Sequence, residues 1–258
     1  MEDLKGVDCL NKSTEELKEL LDWWLKTDNL LTLYKHPCIM LRPGTKTKEG
    51  YPYSNVISEY LININIIEQY KNNKNIISRH DYYKNYLMPN HKPLSEDEIN
   101  TLSEQERKEE WEARSFLNNN FLYLGKIIDY QTPIKGVKTD TAGKIDILAY
   151  NKEGYITLIE YKRQDNPENL VRAILEICTY FYQIDKKQLI EEILEKNTEY
   201  KIDKEPKKCV LLYKDSILHK QYKESVYKLA KILEVEVYVL QKINDGYLIE
   251  IAQEFKDE

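Results

Sequence analysis

The stretch that most constrains this chain runs from Gly143 to Arg163. Gly143-Lys-Ile-Asp-Ile-Leu-Ala-Tyr150 and Tyr155-Ile-Thr-Leu-Ile-Glu-Tyr-Lys-Arg163 are apolar runs joined by Asn151-Lys-Glu-Gly154. The Gly and Asn of that joint accept the positive φ of a tight reversal, so the pair predicts a β-hairpin. Side chains alternate along a strand, which puts Glu160 and Lys162 on one face and Thr157, Ile159 and Tyr161 on the other. Asp146 sits between Ile145 and Ile147 in the first run. Two acids and a lysine inside apolar strands are unfavourable, because an unpaired buried charge costs on the order of several kcal/mol or neutralises by shifting its pKa. A divalent cation is the simplest compensation.

Asp146-x13-Glu160-x-Lys162 in a strand-turn-strand context resembles the PD-(D/E)XK nuclease superfamily, closest in style to the RecB-like and mismatch-type endonucleases. The family usually places Pro before the Asp; here Ile145 takes that position. The resemblance implies an α/β, restriction-endonuclease-like core, a central mixed β-sheet flanked by helices over residues 96–258, with a mainly helical region over residues 1–95. It implies metal-dependent hydrolysis of phosphodiester bonds in nucleic acid, DNA before RNA, with Mg²⁺ or Mn²⁺ as cofactor. Asp146, Glu160 and Lys162 become the expected catalytic residues. Asp146, Glu160, the Tyr161 carbonyl and a helical glutamate become the expected metal ligands.

For that glutamate, Ser103-Glu-Gln-Glu106 opens a predicted helix running through Trp111 and Leu117. Glu110, one turn before Ala113, fits best, and Glu112, one turn before Phe116, is nearly as well placed. An acidic surface helix accounts for either residue equally well. After Arg163, Gln164-Asp-Asn-Pro167 ends the strand and predicts a helix with Pro167 near its first turn and Leu170, Ile174, Ile177 and Phe181 as core stripe. Arg172, Glu176 and Tyr180 recur every fourth residue on its other side, similar to the Gln-x-x-x-Tyr helix of RecB-like nucleases with Glu176 in place of Gln. With Arg163 they are candidate substrate contacts, against the plainer reading of an Arg172–Glu176 surface pair worth about 0.5 kcal/mol.

The rest of the chain frames this hairpin. Ser13-Thr-Glu-Glu16 is a capping box, and Leu17, Leu20, Leu21, Trp24 and Leu25 follow at helical spacing, predicting a helix over 13–27. A second helix is predicted over 54–70. Basic residues outnumber acids between Lys35 and Lys92 and are interleaved with Tyr51, Tyr53, Tyr60, Tyr70, Tyr82, Tyr83 and Tyr86, which suits either a nucleic-acid backbone or an ordinary solvated surface. Met88-Pro-Asn-His-Lys-Pro93 reads as a linker. Beyond the hairpin, strands are predicted at 208–213, 235–240 and 247–252, with a helix at 222–233.

Composition narrows the class. Charged residues make up 32% of 258, the net charge is −6, and no apolar run approaches the roughly 20 residues that span a bilayer. With no basic, apolar leader at Met1-Glu-Asp-Leu-Lys5, a cytoplasmic protein without membrane association is expected. Cys9, Cys38, Cys178 and Cys209 are too scattered to suggest zinc or a disulfide framework. The chain is also a candidate homodimer. A competing function is a catalytically silent, nuclease-like module that binds nucleic acid or protein in a larger assembly.

Overall fold

The computed structural model describes residues 9–27, 30–73, 75–80, 84–101, 108–137, 143–244 and 246–254. Helix α1 (Thr14–Lys26) opens on the Ser13/Glu16 capping box, whose two reciprocal bonds are both made. A 3-10 turn (Leu30–Lys35) follows. The helix predicted over 54–70 is two helices, α2 (Tyr53–Asn63) and α3 (Ile66–Asn72), because Asn65 turns left-handed at φ 52° between them. Helix α4 (Glu96–Asn100) has its own Ser95/Glu98 box, and α5 is Lys108–Ser115. The predicted start of that helix at Ser103 lies outside the described residues.

The strands are β1 (Asn120–Phe121), β2 (Gly125–Pro133), β3 (Lys144–Asn151), β4 (Tyr155–Lys162), β5 (Lys207–Tyr213), β6 (Val235–Ile243) and β7 (Gly246–Ile251). Between β4 and β5 lie α6 (Leu170–Gln183) and α7 (Lys186–Lys196), and α8 (Glu224–Ile232) joins β5 to β6. Pro167 precedes α6 instead of opening it, because Asn169 is the cap and its side chain accepts the Val171 N–H. Helix α7 went unpredicted, although Asp185 caps it by accepting the Gln188 N–H.

The seven strands among the described residues form one mixed sheet in chain order. β1 to β4 pair antiparallel, β4 to β6 parallel, and β7 antiparallel to β6. The parallel pairs need the crossover helices found between them. Apolar residues divide by parity. Leu148, Leu158, Val210, Leu212 and Val237 face α6, α8 and the N-terminal helices. Ile147, Ala149, Ile159, Leu211 and Leu240 face Ala113 and Phe116 of α5. Each buried side chain of this size contributes about 1.5–3 kcal/mol.

The N-terminal segment shares the first of these cores, contributing Leu21, Leu33, Tyr34, Ile57 and Tyr70. Tyr53, Tyr70 and Tyr86 are wholly buried, so they are not free to stack on a base, whereas Tyr51 is exposed. Arg79 donates to the carbonyls of Pro133 and Asn85 and lies 3.8 Å from the Tyr86 ring centre, a structural use of a basic residue. Tyr82 and Tyr83 lie outside the described residues. Among the described residues no helix is long and apolar enough to cross a membrane.

Candidate functional site

Backbone pairing between β3 and β4 stops at Ile147↔Ile159, yet both strands continue. Beyond that point β3 stays with β2, through Ile145↔Thr132, and β4 stays with β5, through Lys162↔Leu212. Asp146 and Glu160 stand where the next cross-strand pair would fall, on the face that also carries Lys162. The structure therefore brings the sequence-predicted trio together at a fork. In place of the missing ladder bond, the Tyr161 N–H donates to Asp146 Oδ2 at 2.9 Å.

The other Asp146 oxygen accepts from Gln131 Nε2 at 2.8 Å. Gln131 is a non-glycine residue at φ 48°, a conformation held only where its surroundings demand it. Nothing in the sequence marked it. Lys162 Nζ lies 2.8 Å from Glu160 Oε1, 2.8 Å from Glu168 Oε2 and 3.9 Å from Glu176 Oε2. Arg172 pairs with Glu168 and stands 3.9 Å from Glu176 Oε2. Tyr180 donates to Glu176 Oε1 at 2.6 Å, and the ring of Tyr34, from the N-terminal segment, meets the Tyr180 ring edge-on. Gly143 is required here, since a Cβ on it would fall 1.8 Å from the Tyr180 hydroxyl.

These contacts overturn the surface-pair reading of α6. Every residue from Leu170 to Phe181 except Arg172 is buried, because the sheet covers one side of the helix and the N-terminal segment the other. Glu176 and Tyr180 thus belong to the ionic cluster around Lys162. Arg163 points elsewhere: its Nε donates at 3.2 Å to Glu112, which also accepts from the Tyr161 hydroxyl at 2.6 Å on the opposite face.

The acid that α5 sends to the fork is Glu109, not Glu110 or Glu112. Its charge acts on both Lys162 and Asp146, and it accepts from Asn166 Nδ2 at 3.0 Å. Glu110 instead lies near Tyr130. The i, i+4, i+7 stripe of Glu109, Ala113 and Phe116 was the available signal, whereas spacing by three from Ala113 pointed to Glu110.

Charge at the fork does not balance. Among the described residues, Glu109, Asp146, Glu160, Glu168 and Glu176 face Lys162 and Arg172. Burial, with Glu109 and Glu176 nearby, pushes Asp146 up to about 7 against the pull of Lys162. Burial first, then the Asp146 and Glu176 carboxylates, pushes Glu160 well above the usual range. Burial works against the charge on Lys162, but Glu160, Glu176, Glu109 and Glu168 outweigh it and hold the ammonium well above its ordinary pKa. Excess carboxylate then leaves protons on the acids.

A hard cation suits this donor set. Glu160 Oε2 is buried with no hydrogen-bond partner, and Asp146 repels it. Among the described residues no group of three or more His, Cys, Asp or Glu is disposed to hold an ion. The protein ligands would be Asp146 and Glu160 with the Tyr161 carbonyl, and Mg²⁺ accepts one or two carboxylates while retaining water. Asp146, Glu160 and Lys162 are all buried, and two clefts elsewhere on the surface, one around Phe181 and Lys208 and one around His91 and Asp129, include none of them. Comparison with protein-family models, curated proteins and solved structures returns no match to this chain.

Proposed function

We propose that the chain is a metal-dependent nuclease with a restriction-endonuclease-like core, hydrolysing phosphodiester bonds in nucleic acid, DNA before RNA. The observation that carries this reading is the fork: pairing ends at Ile147↔Ile159, and the next residues on the shared face are Asp146 and Glu160, with Glu160 Oε2 buried and unpartnered. When bound, Mg²⁺ or Mn²⁺ supplies Lewis acidity toward a phosphate oxygen and acidifies a water.

The chain's own residues do the rest. Gln131 and the Tyr161 N–H fix the Asp146 carboxylate, leaving little rotational freedom to lose on binding. Lys162, kept protonated by its four acids, is a donor that neutralises charge developing on the phosphate; it is not the base that takes a proton from water. Glu176, with Tyr180 hydrogen-bonded to it, and Glu168 hold the ammonium on the fork side of α6. The supporting argument is chemical: a surplus of carboxylates must take up either protons or a cation.

Thermal unfolding with Mg²⁺, Mn²⁺ or EDTA at pH 6 and pH 8 tests the site without relying on turnover. A divalent ion should raise Tm more at pH 8, where Asp146 is ionised, and Asp146→Asn should remove the effect. Labelled duplex, single-stranded and RNA substrates then test hydrolysis, which Glu160→Gln and Lys162→Ala should abolish.

One observation favours the silent-module reading. The trio is buried and Lys162 Nζ already has two carboxylates at 2.8 Å, so the ionic cluster could be satisfied without substrate. Absence of both a metal-dependent Tm shift and metal-dependent cleavage would select it.

A further inference from the structure

The outer edge of the sheet carries a second constellation that the fork does not use. β1 pairs only with Gly125 and Lys126, so no described strand covers β2 beyond them. The ladder to β3 shifts register between Ile127 and Asp129, and such bulges re-aim side chains. Asp129 is 3% exposed, and both of its oxygens are engaged. Oδ2 accepts from Thr132 Oγ1 at 2.8 Å, and Oδ1 lies 2.5 Å from His91 Nδ1.

The His91 ring stacks on Tyr130 with centroids 4.3 Å apart. Asp129 fixes a proton on Nδ1, leaving Nε2 to accept one or, once protonated, to donate. No described residue bonds Nε2, and the side chain is 16% exposed. Next to it is a cleft of about 410 Å³ lined by Leu87, Met88, Pro89, Ile128, Lys196 and Asn197 together with His91 and Asp129. The Lys196 ammonium donates to the Leu87 carbonyl at 3.0 Å and pairs with no described carboxylate.

We propose that this cleft binds a small phosphomonoester, its phosphate between His91 Nε2 and Lys196 Nζ and its apolar body against Leu87, Met88, Pro89 and Ile128. The Lys196 ammonium, paired with no described carboxylate, favours an anion, and the imidazole held by Asp129 gives its phosphate a second polar partner. A cleft of this size takes more than inorganic phosphate, and its lining is half apolar. Asp129 and Tyr130 of β2, Lys196 and Glu192 of α7, Arg114 of α5 and the adjacent Lys92 are the charged and titratable groups around the ring. This site does not depend on the nuclease reading.

The test titrates the full chain with inorganic phosphate and with phenyl phosphate at constant ionic strength, following the four histidines by imidazole NMR and assigning His91 by its loss in His91→Gln. Phenyl phosphate should shift the His91 signals and bind on the order of tenfold tighter than inorganic phosphate, from the apolar area that it buries. His91→Gln should abolish this binding, and Lys196→Gln should weaken it severalfold. Equal affinities for the two ligands would mean that the apolar body is not recognised and would overturn the monoester assignment. Failure of either ligand to move His91, or undiminished phenyl phosphate binding by His91→Gln, would overturn the site. His91 is at the surface of the cleft, so its variant should fold even if Asp129→Asn does not.

Discussion

The two ends of the β3–β4 hairpin are built from the same two strands and do opposite things. From Ile147↔Ile159 to Asn151↔Tyr155 the ladder is continuous and the inward residues are Leu148, Tyr150, Ile156 and Leu158. At the other end the ladder is missing, and the same face carries Asp146, Glu160 and Lys162, all buried. The paired end is held by backbone bonds and apolar burial, terms that hardly depend on pH. The forked end is held by charges whose balance shifts with every proton bound. An opened ladder frees backbone and side-chain polar atoms that a closed one would consume, which makes the fork the chemically capable end.

The difference is broken most severely by removing the Lys162 ammonium, which three carboxylates surround. Lys162→Met leaves Glu160, Glu168 and Glu176 facing one another and should cost about 3–5 kcal/mol at pH 8, and less at pH 5, where the acids take up protons. Denaturant melts at the two pH values measure this, and an equal loss at both would show that the fork is not governed by charge.

Leu158→Ala makes the matching cut at the paired end. It should cost about 2–5 kcal/mol through lost burial and the cavity left behind, with the same value at both pH values. A pH-dependent loss would mean that the two ends are coupled.

Asp146→Asn sharpens the contrast. A carboxyl whose folded pKa is raised to about 7 from its ordinary 3.8 contributes stability that is fully present below about pH 4 and is lost as pH rises through 7. Metal-free wild type should therefore lose Tm between pH 5 and pH 8, and Asp146→Asn should flatten that slope and be the more stable protein at pH 8, by about 1–2 kcal/mol. The same variant should lose any Tm gain from Mg²⁺.

The smallest expected effect lies on the opposite face of β4. Tyr161→Phe removes the bond to Glu112 while keeping the ring among Phe116 and Tyr213, for about 1 kcal/mol. The pH dependence of Tm and any gain from Mg²⁺ should be unchanged, since the atom of Tyr161 that holds Asp146 is its backbone nitrogen.

How much of this was legible depended on the range of the interaction. The capping box at Ser13, the hairpin turn and the parity of Glu160 and Lys162 were readable because each involves residues within a few positions of one another. Helix α7 was missed despite its Asp185 cap, and α2 and α3 were merged because the left-handed turn at Asn65 interrupts an otherwise unbroken Ile-rich pattern. Glu109 was passed over for Glu110 because the first helical turn of α5 admits either spacing to Ala113, and only packing on the sheet decides between them.

The sequence by itself determined the hairpin, its alternation and the presence of three ionisable side chains on strands too apolar to solvate them, since a strand's two-residue period follows from local backbone geometry. Tertiary structure alone decided where the ladder opens, because β3 and β4 separate when each keeps a different neighbour, β2 on one side and β5 on the other. It also brought Gln131 and Tyr34 to the fork from distant parts of the chain. Their partners are fixed by long-range packing, for which no local pattern in the sequence exists.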